Sequence, residues 1–206
     1  MAYVIEAALA ARHIDRIVVS TDDNAIAEVG RSYGIEVIDR PAEFATDTIP
    51  IDPALRHAVE HCEATGHRYD PVVWLQANVP TTRPEAIDAV IERLWSSGAD
   101  SVATVLPYDK PIQWAWRLED GDRMVRLEGV YSYSVRHQEA MPAYHYDGAV
   151  IAMRRDVLMN SAGRPAQAYM GELRHCVIQD PHDSVEIDHE FDLALAETIL
   201  RHRTAR

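Results

Sequence analysis

The chain has 206 residues, of which 47% are hydrophobic and 26% are charged, and its formal net charge is −13. This is the composition of a globular protein, and the length suits a single domain that includes all of residues 1–206. The negative charge repels polyphosphate backbones and the sequence has no run of Lys and Arg, so we expect no nucleic-acid partner.

Cysteine content and hydropathy indicate the cellular setting. Cys62 and Cys176 are far apart and match no metal-ligand spacing, which is typical of a reduced, cytoplasmic protein. No apolar stretch approaches the ~20 residues that cross a bilayer, so we expect no membrane partner. The first residues carry no basic segment ahead of an apolar run, and we therefore expect no signal peptide.

Short apolar runs alternate with helical patterns, which predicts an α/β fold with a mostly parallel sheet. Helices are expected to end before Gly34 and Gly66. In chain order the pattern predicts a helix at 1–12, a strand at 14–20, a helix at 22–33, a strand at 36–38, a helix from 51 to about 65, a strand at 71–76, a helix at 84–97, a strand at 101–106, a strand at 146–153, a strand at 185–188 and a helix at 190–202.

Residues 107–142 break this alternation. The segment is rich in Trp and Tyr, and Gly121 and Gly129 provide turns, which predicts β-hairpins or another excursion from the sheet. We expect this excursion to contact a second subunit. A flap that covers the same subunit is the alternative.

The end of the strand at 14–20 is the first candidate for a ligand site. Ser20, Thr21, Asp22 and Asp23 follow one another there. They place hydroxyl and carboxylate groups at the carboxyl edge of the sheet, where open α/β folds bind ligands. Capping of the next helix by Thr21 or Asp22 is the alternative explanation.

Gln76 and Asn78 follow the strand at 71–76 and form a second candidate at the same edge. Their neutral side chains can recognise amide or hydroxyl groups of a ligand. The alternative is that Asn78, together with Pro80, only shapes a turn.

Glu186 and Asp188 flank Ile187 in a predicted strand. Residues i and i+2 of a strand face the same side, so these two carboxylates would converge and repel each other unless a cation lies between them. Mg²⁺ suits such a site, because one or two carboxylates together with substrate phosphates commonly hold it. A solvated strand face is the alternative.

Two loops contribute arginines, at Arg40 and Arg136. A guanidinium group binds a carboxylate or a phosphate through two parallel hydrogen bonds. Surface arginines without a ligand are common, so neither residue is decisive.

His57, Glu60 and His61 match the H-x-x-E-H pattern of inverted zinc peptidases. Only three letters of this pattern are fixed, the chain has ten histidines, and no third ligand stands nearby, so we do not favour a zinc site. The sequence also has no G-x-S-x-G, G-x-G-x-x-G or P-loop motif, which removes the hydrolase, dinucleotide and P-loop interpretations.

Seven segments in chain order form a more specific signature: I-D-R-I-V-V-S-T-D-D at 14–23, I-A-E-V at 26–29, R-P-A-E-F-A-T-D-T at 40–48, L-Q at 75–76 with Pro80, R-H-Q-E at 136–139 with Pro142, Y-D-G-A at 146–149 and E-I-D at 186–188. Together they resemble the sugar-acid cytidylyltransferases, most closely the acylneuraminate, CMP-sialic acid synthetase-like group. The resemblance covers nearly the whole chain.

This resemblance implies a three-layer, Rossmann-like nucleotidyltransferase fold with a small β-rich excursion at 107–142 that forms a homodimer. It implies an Mg²⁺-dependent transfer of CMP from CTP to a 2-keto sugar acid, a sialic-acid-like nonulosonate, with release of pyrophosphate. The implied roles are catalysis by Asp188 and Arg136, nucleotide binding by Arg40, Thr48 and Asp22, substrate binding by Gln76, Asn78, Arg136 and Gln138, and metal binding by Glu186 and Asp188.

The chain departs from the family pattern at identifiable places. We expect it to lack the first strand and the A-R-x-G-S-K loop that grips the triphosphate, because the match starts inside the first helix. Glu186 stands where the family has an aspartate, and Asn78-Val79 stands in place of T-S. Two alternatives follow: a non-catalytic dimeric module that binds a nucleotide or a sugar, and a related nucleotidyltransferase with another base or sugar.

Overall fold

The structure is a computed structural model and describes residues 1–46, 48–127 and 140–204. The helices of this part are α1 (Ala2–Ala10), α2 (Asn24–Ser32), α3 (Asp52–Glu63), α4 (Pro84–Ser97), α5 (Arg155–Met159) and α6 (Glu190–Thr204). The strands are β1 (Val18–Thr21), β2 (Glu36–Asp39), β3 (Val72–Leu75), β4 (Ser101–Pro107), β5 (Trp116–Glu119), β6 (Arg123–Arg126), β7 (Tyr144–Met153) and β8 (Arg174–Ile178).

The largest sheet has the strand order β3-β7-β4-β8. β7 runs antiparallel to β3 and to β4, while β4 and β8 are parallel, so three of the four strands point the same way. β1 and β2 form a separate parallel pair, and β5 and β6 form an antiparallel hairpin. The α/β fold is confirmed, and so is a β-hairpin within residues 107–142.

Apolar side chains cover both faces of the large sheet, because successive strand residues point to opposite sides. Val102, Val150 and Ala152 face one layer, which contains the buried face of α4 (Ile87, Val90, Ile91 and Leu94) and part of α1. Ala103, Ile151 and Met153 face the opposite layer, which contains parts of α3 and α5. The predicted three-layer arrangement is confirmed. Burial of each large side chain contributes ~1.5–3 kcal/mol.

In the chain's last third, one predicted strand is wrong and one observed strand was not predicted. Residues 185–188 form no strand, because the N–H of Val185 donates to Thr81 Oγ1 (2.8 Å) and the N–H of Ile187 donates to Asn78 O (2.9 Å). The N–H groups of Val185 and Ile187 therefore bond to atoms of a loop rather than to a neighbouring strand. β8 is a strand that the sequence pattern did not predict, since its residues alternate in exposure at the sheet edge and form no apolar run.

None of the helices in residues 1–46, 48–127 and 140–204 combines the length and the apolar character that a bilayer crossing needs.

The buried carboxylate of Asp88 joins α4 to the end of α1. It accepts hydrogen bonds from the N–H of Arg12 (2.8 Å), the N–H of His13 (3.2 Å) and Arg12 Nε (2.9 Å). Burial raises the pKa of Asp88, but the hydrogen bonds from Arg12 and His13 outweigh burial and hold this pKa below its usual value.

We expect Asp88→Ala to lower the free energy of unfolding by ~1–3 kcal/mol, because it leaves two backbone N–H groups of the α1–β1 connection without their acceptor. Glu92→Ala is the matched control: Glu92 contacts the same Arg12 and His13, but it is half exposed and its contribution should stay below ~1 kcal/mol. Urea denaturation measures both variants, and equal losses would contradict the role of Asp88.

The same carboxylate predicts a pH dependence. Because its pKa is lower in the folded chain, its ionic contribution is complete above the unfolded pKa of ~3.9 and is lost as the pH falls through the folded pKa. Stability curves of the wild type and of Asp88→Ala should therefore approach each other as the pH falls through the lowered, folded-state pKa of Asp88.

Candidate active site

Two loops meet at the carboxyl end of β3. The first loop follows β3 and contains Gln76 and Asn78; the second contains Glu186 and leads into α6. The N–H of Ile187 donates to Asn78 O (2.9 Å), and Asn78 Nδ2 donates to Glu186 Oε1 (3.4 Å). The structure thus brings together a predicted metal ligand and a predicted substrate-binding residue from positions 108 residues apart.

Gly148 completes this arrangement from β7. Its φ is +72°, which is a conformation that glycine adopts without steric cost. A Cβ atom at this position would lie 2.9 Å from Gln76 Nε2 and 3.2 Å from Glu186 Oε1. The side chains of Gln76 and Glu186 therefore lie so close to the backbone of Gly148 that a side chain at position 148 would clash with them.

An irregularity in β7 gives Gly148 this position. Ala103 of β4 pairs with Ile151, but Val105 pairs with Tyr146, so the register between β4 and β7 shifts between these pairs. Such a bulge re-aims the backbone next to a site.

The buried carboxylate of Asp147 holds the bulge in place. It accepts hydrogen bonds from the Thr104 hydroxyl (2.5 Å), from Gln179 Nε2 (2.5 Å) and from the N–H of Ala149 (3.0 Å). Sequence reasoning missed Thr104 and Gln179. The signal that was available was the acid-glycine pair at 147–148, directly before the apolar residues 149–153 of the same strand.

The two predicted metal ligands occupy different environments. Glu186 is half-buried against Asn78, whereas Asp188 is exposed. Since residues 185–188 are not a strand, the expectation that both side chains face one side does not follow from strand geometry. The N–H groups of Asp188 and His189 both donate to Asp192 Oδ2 (3.1 and 2.9 Å) and lower the pKa of Asp192. These bonds fix the Asp188 backbone at the start of α6.

The carboxylates of Glu186 and Asp188 suit a cation that is bound by only one or two protein side chains. Neither Glu186 nor Asp188 forms an ion pair with another described residue, so both carboxylates keep oxygen atoms for a ligand. Within the described ranges, no group of three or more His, Cys, Asp or Glu side chains is placed to hold a metal by itself. A cation bound at Glu186 would therefore share its coordination with substrate oxygens, as Mg²⁺ commonly does.

Arg40 lies at the carboxyl end of the neighbouring β1–β2 pair. Its Nη2 donates to Ser20 O (2.5 Å), its Nε donates to Ser20 Oγ (3.3 Å), and its own N–H donates to Thr21 O (3.0 Å). These bonds place the guanidinium group at the strand end. Among the described residues, no hydrogen bond or ion pair joins Arg40 to Gln76, Asn78 or Glu186.

The remaining predicted site residues are placed as follows. Asp23, rather than Thr21 or Asp22, caps α2 by accepting from the N–H of Ile26 (2.9 Å), and Asp22 is exposed. Thr48 is exposed in the turn before α3. Arg136 and Gln138 lie outside the described residues, so their predicted roles stay predictions.

The zinc-peptidase pattern does not form a metal site in the described part of the chain. His61 Nε2 contacts Glu36 Oε1 (3.1 Å), whereas the ring of His57 packs against Phe44 at a centroid distance of 6.1 Å. The two histidines therefore use different partners.

Comparison with known proteins decides the family. The sequence model for cytidylyltransferases matches residues 1–199. The chain belongs to the cytidylyltransferase family.

Two curated relatives span nearly the whole chain. N-acylneuraminate cytidylyltransferase of Escherichia coli O18:K1:H7 is 26% identical over 97% of this chain, which spans 45% of that relative. CMP-N,N'-diacetyllegionaminic acid synthase of Legionella pneumophila is 27% identical over 97% of this chain and 84% of the relative. The chain therefore spans less than half of the Escherichia coli relative.

A solved structure shows the same fold. CMP:2-keto-3-deoxy-manno-octonic acid synthetase, determined in complex with CTP, aligns over 98% of this chain and 87% of that chain with a TM-score of 0.67. Sequence identity is 17%, so this likeness concerns the fold. The predicted Rossmann-like nucleotidyltransferase fold is confirmed.

We expect Gly148→Ala to displace the Gln76 side chain, because the added methyl group would lie 2.9 Å from Gln76 Nε2. Gly163→Ala is the matched control: its φ is also +72°, but a Cβ there meets no atom within 4 Å. Both variants should lose ~1–2 kcal/mol through backbone strain. The Gln76 side-chain amide resonances should shift in Gly148→Ala and stay in place in Gly163→Ala; unshifted resonances in both would show that position 148 is not crowded.

Proposed function

We propose that this chain transfers CMP from CTP to a hydroxyl group of a 2-keto sugar acid of the sialic-acid-like, nonulosonate type. In this reaction the hydroxyl oxygen bonds to the α-phosphorus, the bond between that phosphorus and the β-phosphate oxygen breaks, pyrophosphate leaves with this oxygen, and the hydroxyl proton is released. The observation that carries the proposal is the convergence of Gln76, Asn78 and Glu186 beside Gly148 in a chain of the cytidylyltransferase family.

The names of the relatives support a sugar acid as acceptor. They describe cytidylyl transfer to N-acylneuraminate and the formation of CMP-N,N'-diacetyllegionaminic acid. In this chain the amide groups of Gln76 and Asn78 can donate to, and accept from, the hydroxyl and acylamino groups of such a sugar. We therefore assign both residues to the acceptor.

Mg²⁺ is the cofactor that the carboxylates fit. Glu186 and Asp188 would hold it, because their oxygens suit a hard cation and form no ion pair with other described residues. When bound, Mg²⁺ offsets negative charge on the triphosphate. Arg40, together with Asp22 and Thr48, is assigned to the nucleotide, and the Arg40 guanidinium stabilises negative charge near the strand end.

The Gly148 backbone approaches Gln76 and Glu186 so closely that a Cβ atom at this position would contact both side chains. Arg136 and Gln138 are proposed to contact the sugar carboxylate, with Arg136 and Asp188 as catalytic residues.

A homodimer is part of the proposal. On one face of the β5–β6 hairpin, Trp116, Leu118 and Met124 are 45%, 62% and 56% exposed. An apolar hairpin face of this kind is typical of a protein–protein contact. We propose that it packs against a second copy of the chain.

Wild-type protein should release pyrophosphate from CTP in the presence of Mg²⁺ and a sugar acid from a panel that includes N-acetylneuraminic, legionaminic, pseudaminic and 3-deoxy-manno-octulosonic acids. Asp188→Asn should reduce turnover by about 100-fold, since even the partners of metal ligands commonly contribute ~10–100-fold. Glu190→Gln, which neutralises an exposed carboxylate two residues further on, is the control and should keep wild-type turnover. A folded wild type that releases no pyrophosphate with any acid of the panel would refute the proposed activity.

Leu118→Glu should weaken the homodimer by at least about tenfold, because it places a charge in an apolar contact. Leu173→Glu is the control, since Leu173 is also about half exposed (51%) but lies next to β8. Sedimentation velocity across a concentration series measures the dimer. A wild type that sediments as a monomer at every concentration would remove the dimer from the proposal.

A further inference from the structure

One arginine of the last helix joins the two loops of the site. Arg203 lies near the end of α6. Its Nη1 donates to Thr81 O (2.7 Å) in the loop after β3, and its Nη2 donates to His182 O (2.7 Å) and to Asp183 Oδ1 (2.5 Å) in the loop before Glu186. A single guanidinium group thus holds both loops.

Two of the residues that Arg203 contacts lie three positions from a site residue. Thr81 follows Asn78 by three positions, and Asp183 precedes Glu186 by three. Thr81 is fully buried, and its Oγ1 accepts from the N–H of Val185 (2.8 Å). Arg203 therefore binds the same two loops that the hydrogen bond from Asn78 Nδ2 to Glu186 Oε1 also joins.

We propose that Arg203 is a positioning residue: by clamping the two loops, it keeps the Glu186 carboxylate against Asn78 and Gly148. The inference rests on the proposed function, in which Glu186 binds Mg²⁺. An arginine suits the role because its planar fork donates in several directions at once, whereas a lysine ammonium acts as a point charge.

The contacts of Arg203 differ from those of a residue that only supports the core. Its three acceptors are two loop carbonyl oxygens and one loop carboxylate, and its side chain is 28% exposed. Arg83 Nη1 lies 3.9 Å from Asp183 Oδ2, so this carboxylate keeps a cation nearby when Arg203 is replaced. We therefore expect Arg203 variants to fold.

Amide hydrogen exchange, followed by NMR, tests the clamp directly. In Arg203→Met, the amides of Val185 and Ile187 should exchange at least about tenfold faster, because their acceptors belong to the loop that is released. Amides in the centre of β4 and β7 should exchange as in the wild type. Arg31→Met, which removes an exposed guanidinium from α2, is the matched control.

Turnover as a function of Mg²⁺ concentration tests the consequence. The half-saturating Mg²⁺ concentration should rise about tenfold in Arg203→Met, as for other partners of metal ligands, while kcat at saturating Mg²⁺ stays within about twofold. Arg203→Lys keeps the charge but loses the planar guanidinium group. Its half-saturating Mg²⁺ concentration should therefore lie between those of the wild type and Arg203→Met.

Each outcome decides the proposal. Exchange at Val185 and Ile187 equal to that in Arg31→Met would overturn it, as would a uniform increase over all amides, because that would indicate a general loss of stability. If amide exchange is accelerated but the Mg²⁺ dependence of turnover is unchanged, the proposal that Arg203 positions the Glu186 carboxylate is also overturned. Should the wild type release no pyrophosphate, the proposed function fails, and the exchange measurement still decides whether Arg203 holds the two loops together.

Discussion

The buried carboxylate of Asp147 is the interaction on which the geometry of the site depends. A buried charge is costly unless hydrogen bonds satisfy it, and Asp147 has three donors, from Thr104, Gln179 and Ala149. These bonds hold β7 in its irregular register. The irregular register in turn places Gly148 where Gln76 and Glu186 can both approach it.

The site is a set of loops assembled on a rigid sheet. The end of β3 and the bulge in the middle of β7 supply fixed backbone positions, and the loop of Glu186 is joined to the loop after β3 through bonds to Asn78 and Thr81. The direct side-chain bond between Asn78 and Glu186 is long, at 3.4 Å, so it does not by itself fix the loop. The positions of the two loops are set instead by bonds from their backbones and by the guanidinium group of Arg203.

Much of the fold was predictable because local patterns report it. The buried face of α4, with apolar residues at 87, 90, 91 and 94, has helical spacing, and β3 is a continuous apolar run. The strand at 185–188 was predicted wrongly from the same kind of pattern. The alternation of Val185, Glu186 and Ile187 suits a strand, but Thr81 accepts from the N–H of Val185 and Asn78 accepts from the N–H of Ile187.

By itself the sequence determined the α/β class, most of the helices and strands, and the family, because hydropathy pattern, residue types and motif spacing are properties of the chain itself. It also predicted Gln76, Asn78 and Glu186 as site residues. The tertiary structure decided the bulge at Gly148, the satisfaction of Asp147 by Thr104 and Gln179, and the contacts of Arg203 with both loops. These features join residues that are 20 to 122 positions apart, and only the folded chain brings such groups within hydrogen-bonding distance.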